Sequence, residues 1–461
     1  MLWEYLQDKM LSRPSRKIRE GSAHITYEEA VVFAETFGKK LKVPCCAILC
    51  QSELAASLAI LSCFAAGVTA VPLSFRYGDA HCRNILRKIR PDAMITDAGG
   101  ELHVLNLCAA AEPWETEEPR PAVILCTSGT TGEPKGVMLS EENLFTNLED
   151  IGTYFKINKT DRILICRPLY HCAVLTGEFL ISLVKGLDIF FASEKFDPVN
   201  ILKILKEEQI SVFCGTPSLL RMICRFAGVS GCFALVRHIA VSGEPMGKVC
   251  AQMIAKTFYN AYIYHVYGLT EASPRVAYLP PAYFEALPEY AGLPLPSVQV
   301  KVVDDAGKTL PRGAEGELCI KGKSVMLGYY RDPELTAQVL DAGGWLHTGD
   351  VASIHDNSFL KIKCRRDNMI IRAGMNIYPQ EIENALLADG RTRDVLAYGI
   401  ADAMSGQKIG LKISGDFRNK NEVLQLCRRA LPPHAVPSVI ELMEELPRNV
   451  SGKVIRDGQK R

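Results

Sequence analysis

Thr127-Ser128-Gly129-Thr130-Thr131-Gly132-Glu133-Pro134-Lys135-Gly136 is the stretch on which the reading of this chain turns. It follows an apolar, strand-like run at 122–126 and precedes another apolar piece at 137–139. Hydroxyls and glycine amides at this density can donate many hydrogen bonds to phosphate oxygens, and Lys135 adds a positive charge. The competing reading is a Gly/Thr turn in a hairpin, but six small residues in a row plus a lysine favour phosphate binding. The spacing excludes a Walker A loop, which needs Gly-Lys followed by Ser or Thr opening a helix. Here Lys135 stands between Pro134 and Gly136, and Pro134 has no backbone N–H to donate.

Outward from this loop, apolar runs recur at 47–49, 68–73, 93–96, 163–166, 189–192, 212–215, 238–241 and 261–266. Many are almost continuously apolar, as strands buried on both faces are. Helical stretches fit between several of them, for example 199–208 and 246–258. This alternation predicts an α/β fold with mainly parallel sheets. After Tyr290 short strands at 299–303 and 316–321, separated by Asp-Asp-Ala-Gly and Pro-Arg-Gly turns, predict a small β unit. From Asp367 a further α+β segment begins, with helices at 379–387 and 421–430 and strands near 395–400 and 409–414. The expected organisation is a large N-terminal domain, 1–366, ending in the small β unit, and a small C-terminal domain, 367–461.

The composition fits a globular chain. It has 461 residues, 48% hydrophobic and 23% charged, with 53 basic against 52 acidic residues. A net charge of +1 gives no reason to expect a nucleic-acid partner. The uncharged run 54–73 is interrupted by Ser57, Ser62, Gly67, Thr69 and Pro72, so it reads as a buried helix, a glycine break and a strand rather than a membrane span. Glu4 and Asp8 are out of place in a signal peptide, and sixteen cysteines then point to reduced thiols and a cytoplasmic location. Cys45, Cys46 and Cys50 lie in an apolar run with no second ligand pair following, and read as core cysteines rather than zinc ligands.

The 127–136 run resembles the phosphate loop of the adenylate-forming superfamily, which includes acyl-CoA synthetases, luciferases and the adenylation domains of peptide synthetases. Further matches follow in family order: Tyr267-Gly268-Leu269-Thr270-Glu271, Gly344-Trp345-Leu346-His347-Thr348-Gly349-Asp350, Cys364-Arg365-Arg366-Asp367, Gly374-Met375-Asn376-Ile377-Tyr378-Pro379 and Pro447-Arg448-Asn449-Val450-Ser451-Gly452-Lys453. Together they cover nearly the whole chain.

The resemblance implies a role for each. Thr127 to Gly132 and Lys135 would cradle the ATP phosphates. Thr270 would donate to the α-phosphate, and Glu271 would hold Mg²⁺, a hard cation suited to carboxylate and phosphate oxygens. Tyr267, beside Gly268, would stack on adenine, with Gly243, Glu244 and Pro245 closing the other side. Asp350 would accept both ribose hydroxyls, and Arg365 would support the same ribose. Lys453 would stabilise the charge that develops as pyrophosphate leaves. His171 sits where acyl-CoA synthetases carry a gating histidine beside the acyl pocket. α-Amino-acid-activating relatives usually have Asp at that place to pair with the substrate ammonium, which disfavours an α-amino acid here.

The implied reaction joins a carboxylic acid to ATP, giving acyl-AMP, after which a mobile C-terminal domain rotates and a thiol attacks. Coenzyme A is the expected acceptor. A phosphopantetheine thiol on an acyl or peptidyl carrier protein is the alternative, and a catalytically silent AMP-binding protein a more distant one. Three residues depart from the pattern. Val266 stands where long-chain synthetases usually have Gly, which favours a short, medium or aromatic acid; Ile371 replaces a frequent Lys; and Cys364 replaces the usual Gly before Arg365.

Overall fold

The computed structural model describes residues 1–74, 78–107, 119–128, 134–192, 197–226, 232–402, 404–447 and 454. Two sheets make the body of the N-terminal part. In one, nine strands run in the order Leu293–Pro294, Arg275–Leu279, Tyr262–Gly268, His238–Ser242, Val212–Gly215, Arg162–Ile165, Asp188–Phe191, Lys17–Glu20, Ala23–Thr26. The junctions from Tyr262–Gly268 through Lys17–Glu20 are parallel, and antiparallel pairs finish both edges. The other sheet has seven strands: Gly328–Tyr329, Pro134–Leu139, Val123–Ser128, Thr69–Pro72, Cys45–Leu49, Ala93–Ala98 and Glu101–Asn106. It too is parallel at its centre and antiparallel at its ends.

One large apolar core joins residues of both sheets with the helices Leu2–Leu11, Tyr27–Gly38, Glu53–Ala66 and Glu141–Tyr154. The opposite face of the nine-stranded sheet is covered by Pro198–Glu207, Pro217–Arg225 and Lys248–Thr257, which have their own cluster. Burial on both faces is why the central strands read as unbroken apolar runs. The 54–73 run is a helix ended by Gly67 at φ +64° and followed by the buried strand Thr69–Pro72. Cys45, Cys46 and Cys50 are buried thiols. No helix among the described residues is long and apolar enough to cross a membrane.

One boundary moves in a way that matters. The strand expected at 122–126 extends to Ser128, and its antiparallel partner begins at Pro134, so Thr127 pairs with Lys135 and Ser128 with Pro134. The phosphate-loop run is therefore strand at both ends. Pro134 is tolerated as the first residue of its strand, where a missing donor does least harm.

The antiparallel sheet Gln299–Val303, Gly316–Lys321, Leu346–Ile354, Leu360–Arg365 follows. A single turn at Arg366–Asn368 then leads into the last sheet, built from Ile370–Arg372, Met375–Ile377, Thr392–Asp402, Gly406–Gly415 and Val439–Leu442. With the helices Pro379–Leu387 and Lys420–Ala430 it encloses a separate apolar core.

Candidate active site

A cavity of about 890 Å³ lies where the carboxyl ends of the parallel strands meet the strand Leu360–Arg365 and the helix Pro379–Leu387. That is where open α/β sheets place their ligands. Gly243, Glu244, Pro245, Val266, Tyr267, Gly268, Asp350 and Arg365 all line it, and so do Gln380 and Asn384 from the C-terminal part.

Gly243 to Pro245 follow the strand His238–Ser242, and Gly243 has a φ of +91°, a turn that needs no Cβ. Glu244 Oε2 accepts from the N–H of Ser218 at 3.0 Å. Its other oxygen, Oε1, is buried with no hydrogen-bond partner among the described residues, which suits an N–H donor from a ligand. His265, in the next strand, lines the same space. Burial lowers its pKa to about 4, so it is neutral and must donate from Nδ1 to the Tyr290 carbonyl, 3.1 Å away.

Asp350 and Arg365 face each other in antiparallel register. Arg365 Nη1 donates to the Thr348 carbonyl at 2.9 Å and lies 3.6 Å from Asp350 Oδ1. Burial pushes the Asp350 carboxyl up, while Arg365 and the Tyr267 hydroxyl hold against that shift. The structure adds a contact to the sequence expectation: Tyr267 Oη donates to Asp350 Oδ2 at 2.5 Å. The ring expected at the adenine and the carboxylate expected at the ribose are thus tied together. Burial, and next the Asp350 charge, raise the Tyr267 phenol well above its ordinary value, so it stays a donor.

Thr270 and Glu271 open the short turn Thr270–Ala272, directly after the strand that carries Tyr267. Gly268 makes this possible, because a Cβ there would lie 2.0 Å from the Pro274 carbonyl oxygen. A Gly268→Ala variant is expected to push the 269–274 loop off the strand, costing about 1–3 kcal/mol of stability. It should also weaken ATP binding in calorimetry; unchanged affinity would show that the loop does not position the nucleotide.

Glu271 Oε1 accepts from Tyr329 Oη at 2.8 Å, and Lys135 Nζ lies 5.4 Å from the centre of the Tyr329 ring. Tyr329 therefore joins the phosphate-loop lysine to the expected metal ligand, a role sequence reasoning missed. Only the pairing of Gly328–Tyr329 with Val137 and Met138 brings it there. Among the described residues no group of three His, Cys, Asp or Glu side chains could cage a metal. A lone carboxylate with one oxygen already bonded fits Mg²⁺ that is shared with substrate phosphates.

His171 precedes the short helix Cys172–Val174 and lies against Tyr170, with ring centroids 4.2 Å apart and planes tilted by 45°. Cys172 Sγ lies 4.0 Å from the Thr270 carbonyl oxygen, so this segment borders the same loop. Val266 is fully buried in its strand. Cys364 packs against Val351 and Tyr378, and Ile371 is half exposed, its N–H bonded to Gln407 at 2.7 Å. Gly129 to Gly132 and Lys453 lie outside the described residues, as does the side chain of Ser128.

The two parts of the chain also touch. Arg221 pairs with Asp394, Tyr378 Oη donates to Glu315 at 2.6 Å, and Lys363 lies 3.0 Å from Glu315 and 3.4 Å from Glu381.

The cavity thus lies at the ends of parallel strands and is lined on one side by the smaller C-terminal part. A family model described as AMP-binding enzyme matches residues 12–330, and one for the AMP-binding enzyme C-terminal domain matches 381–453. The chain belongs to the AMP-binding enzyme family. It is 32% identical over 343 residues to a long-chain-fatty-acid–CoA ligase of Escherichia coli, a match covering 73% of this chain and 60% of the ligase. It is 29% identical over 422 residues to a feruloyl-CoA synthase of Amycolatopsis, covering 86% and 84%. In structure it is similar to the o-succinylbenzoate CoA synthetase of Bacillus subtilis, with a TM-score of 0.85, 24% identity and 99% and 98% of the chains covered. ATP-bound MatB from Rhodopseudomonas palustris is equally similar, again with a TM-score of 0.85 and 24% identity, over 98% and 96%.

Proposed function

We propose that this protein activates a carboxylic acid with ATP, releasing pyrophosphate, and passes the acyl group from acyl-AMP to the thiol of coenzyme A. The observation that carries this is the assembly of Gly243 to Pro245, Tyr267, Gly268, Asp350 and Arg365 around one cavity. The relatives named as CoA ligases and synthases support coenzyme A as the acceptor.

In this reading the Glu244 Oε1 orphan takes a proton donor of the base, and Asp350 takes ribose hydroxyls in exchange for Tyr267. Lys135 and the loop before it hold the phosphates. Glu271 would hold Mg²⁺, which supplies charge neutralisation at the phosphates. Lys453 would stabilise the α-phosphate as pyrophosphate departs. Buried Val266 supports a short, medium-chain or aromatic acid over a long fatty acid. The buried thiols support a reducing, cytoplasmic setting. Residues 1–366 and 367–461 would act as body and moving domain, with the turn Arg366–Asn368 as pivot.

ATP–pyrophosphate exchange across acids from acetate to palmitate, with benzoate-type acids, tests the reading. Exchange dependent on one class of acid is expected, followed by thioester formation with free coenzyme A. Exchange with no acid would overturn adenylation, and adenylation without thioester formation would overturn the acceptor.

A further inference from the structure

The short strand Gly328–Tyr329 is held between the two elements that carry Glu271 and Lys135. The Met326 N–H donates to the Glu271 carbonyl at 2.9 Å, the Leu327 N–H to the Met138 carbonyl at 3.0 Å and the Tyr330 N–H to the Gly136 carbonyl at 2.8 Å. The Tyr329 N–H donates to Thr336 Oγ1 at 2.9 Å, in the helix Pro333–Val339. A Cβ added to Gly328 would meet Thr336 Cγ2 at 2.8 Å, so strand and helix are in close contact. Bonds to a loop, a strand and a helix thus fix the backbone around Tyr329, and with it the root of the side chain.

The Tyr329 side chain is buried. Its hydroxyl donates to Glu271 Oε1 at 2.8 Å, while its ring lies beside Lys135. Burial raises the phenol, and the Glu271 charge adds to that shift, so the group stays a donor. Among the described residues nothing bonds the other oxygen, Glu271 Oε2. A carboxylate with both oxygens free can rotate. A bond from a phenol on fixed backbone removes that freedom and leaves one oxygen for a ligand. Mg²⁺ shared with phosphates is held by one or two carboxylates and demands near-ideal geometry. Carboxylates that bind metals are themselves held by hydrogen bonds from groups that never touch the ion.

Resting on the reading that Glu271 holds Mg²⁺ with ATP, we propose that Tyr329 is a positioning residue for that carboxylate: its hydroxyl fixes Oε1 and so leaves Oε2 to the Mg²⁺ of Mg–ATP. Tyr329 then touches neither nucleotide nor metal and acts through Glu271 alone.

Calorimetry of ATP binding in Mg²⁺ and in EDTA tests this without turnover. The ratio of the two affinities measures what the metal adds. Tyr329→Phe removes the hydroxyl and keeps the ring beside Lys135. It is expected to lower that ratio by about 10-fold or more and to leave ATP binding in EDTA unchanged. In a Glu271→Gln background the same substitution should not move the ratio, because the carboxylate it acts through is gone. If Tyr329→Phe fails to fold, Tyr329→Met fills the site without a donor and gives the same comparison. A wild-type ratio in Tyr329→Phe would overturn the Tyr329 assignment and leave nucleotide binding standing. Equal losses with and without the metal, or a loss that persists beside Glu271→Gln, would show packing alone and overturn it too. Wild-type binding that Mg²⁺ does not strengthen would overturn the Mg–ATP reading beneath it.

Discussion

Replacing Glu178 with Ala is expected to lower the stability of the N-terminal domain by about 3–5 kcal/mol. Its carboxylate is fully buried and accepts from Arg167, itself only 8% exposed, and the Arg275 guanidinium lies against the preceding residue, Gly177. Removing it leaves both guanidinium groups in the apolar core with no anion. Burial pushes the Glu178 carboxyl up by more than Arg167 and Arg275 pull it down. Urea denaturation of Glu178→Ala and Glu178→Gln measures the loss. A double variant, Arg167→Met with Glu178→Leu, should recover part of it, because one of the two guanidinium charges goes with its anion while Arg275 stays buried. A loss below about 1 kcal/mol for Glu178→Ala would show that the cluster is solvated and carries no buried charge.

The second large effect belongs to Lys453. If its ammonium meets the charge that grows as pyrophosphate leaves, Lys453→Ala should slow adenylate formation by about 10²–10³-fold. Thioester formation from a supplied acyl-adenylate should change far less, since that step no longer separates pyrophosphate. Single-turnover measurements of the two half-reactions distinguish these effects. Undiminished adenylation would remove Lys453 from the reaction, and equal loss in both halves would point to a defect in domain docking instead.

The residues that line the cavity share short runs of sequence: Tyr267 to Leu269 follow one another, as do Gly243 to Pro245. Each run ends a strand, so local pattern and chemistry coincide. Tyr329 and the Arg167–Glu178–Arg275 cluster gave no such signal. Glu178 stands alone in an apolar run, and Arg275 directly follows Pro274, so neither belongs to one of the motif runs. Only the packing of the 171–180 segment against the strand Arg275–Leu279 brings them together. The helix Leu2–Leu11 was also missed, although Leu2, Leu6 and Met10 recur with helical spacing and are all buried.

The hydrogen bond from Tyr267 to Asp350 means that the cleft caps itself. A sugar diol reaching Asp350 substitutes for a resident phenol rather than satisfying a bare carboxylate. The contact then contributes the small difference between two bonded states, about 0.5–1.5 kcal/mol, in place of the 4–6 kcal/mol of an isolated bond. The selectivity is larger than the affinity. A ligand without those hydroxyls that pushes the phenol aside leaves a carboxylate only 7% exposed with one donor fewer, and so bears the full penalty of an orphaned acceptor. If Asp350 takes a ribose as proposed, the tyrosine would act as a counterfeit ribose, raising the threshold for every visitor except the one that carries the genuine diol.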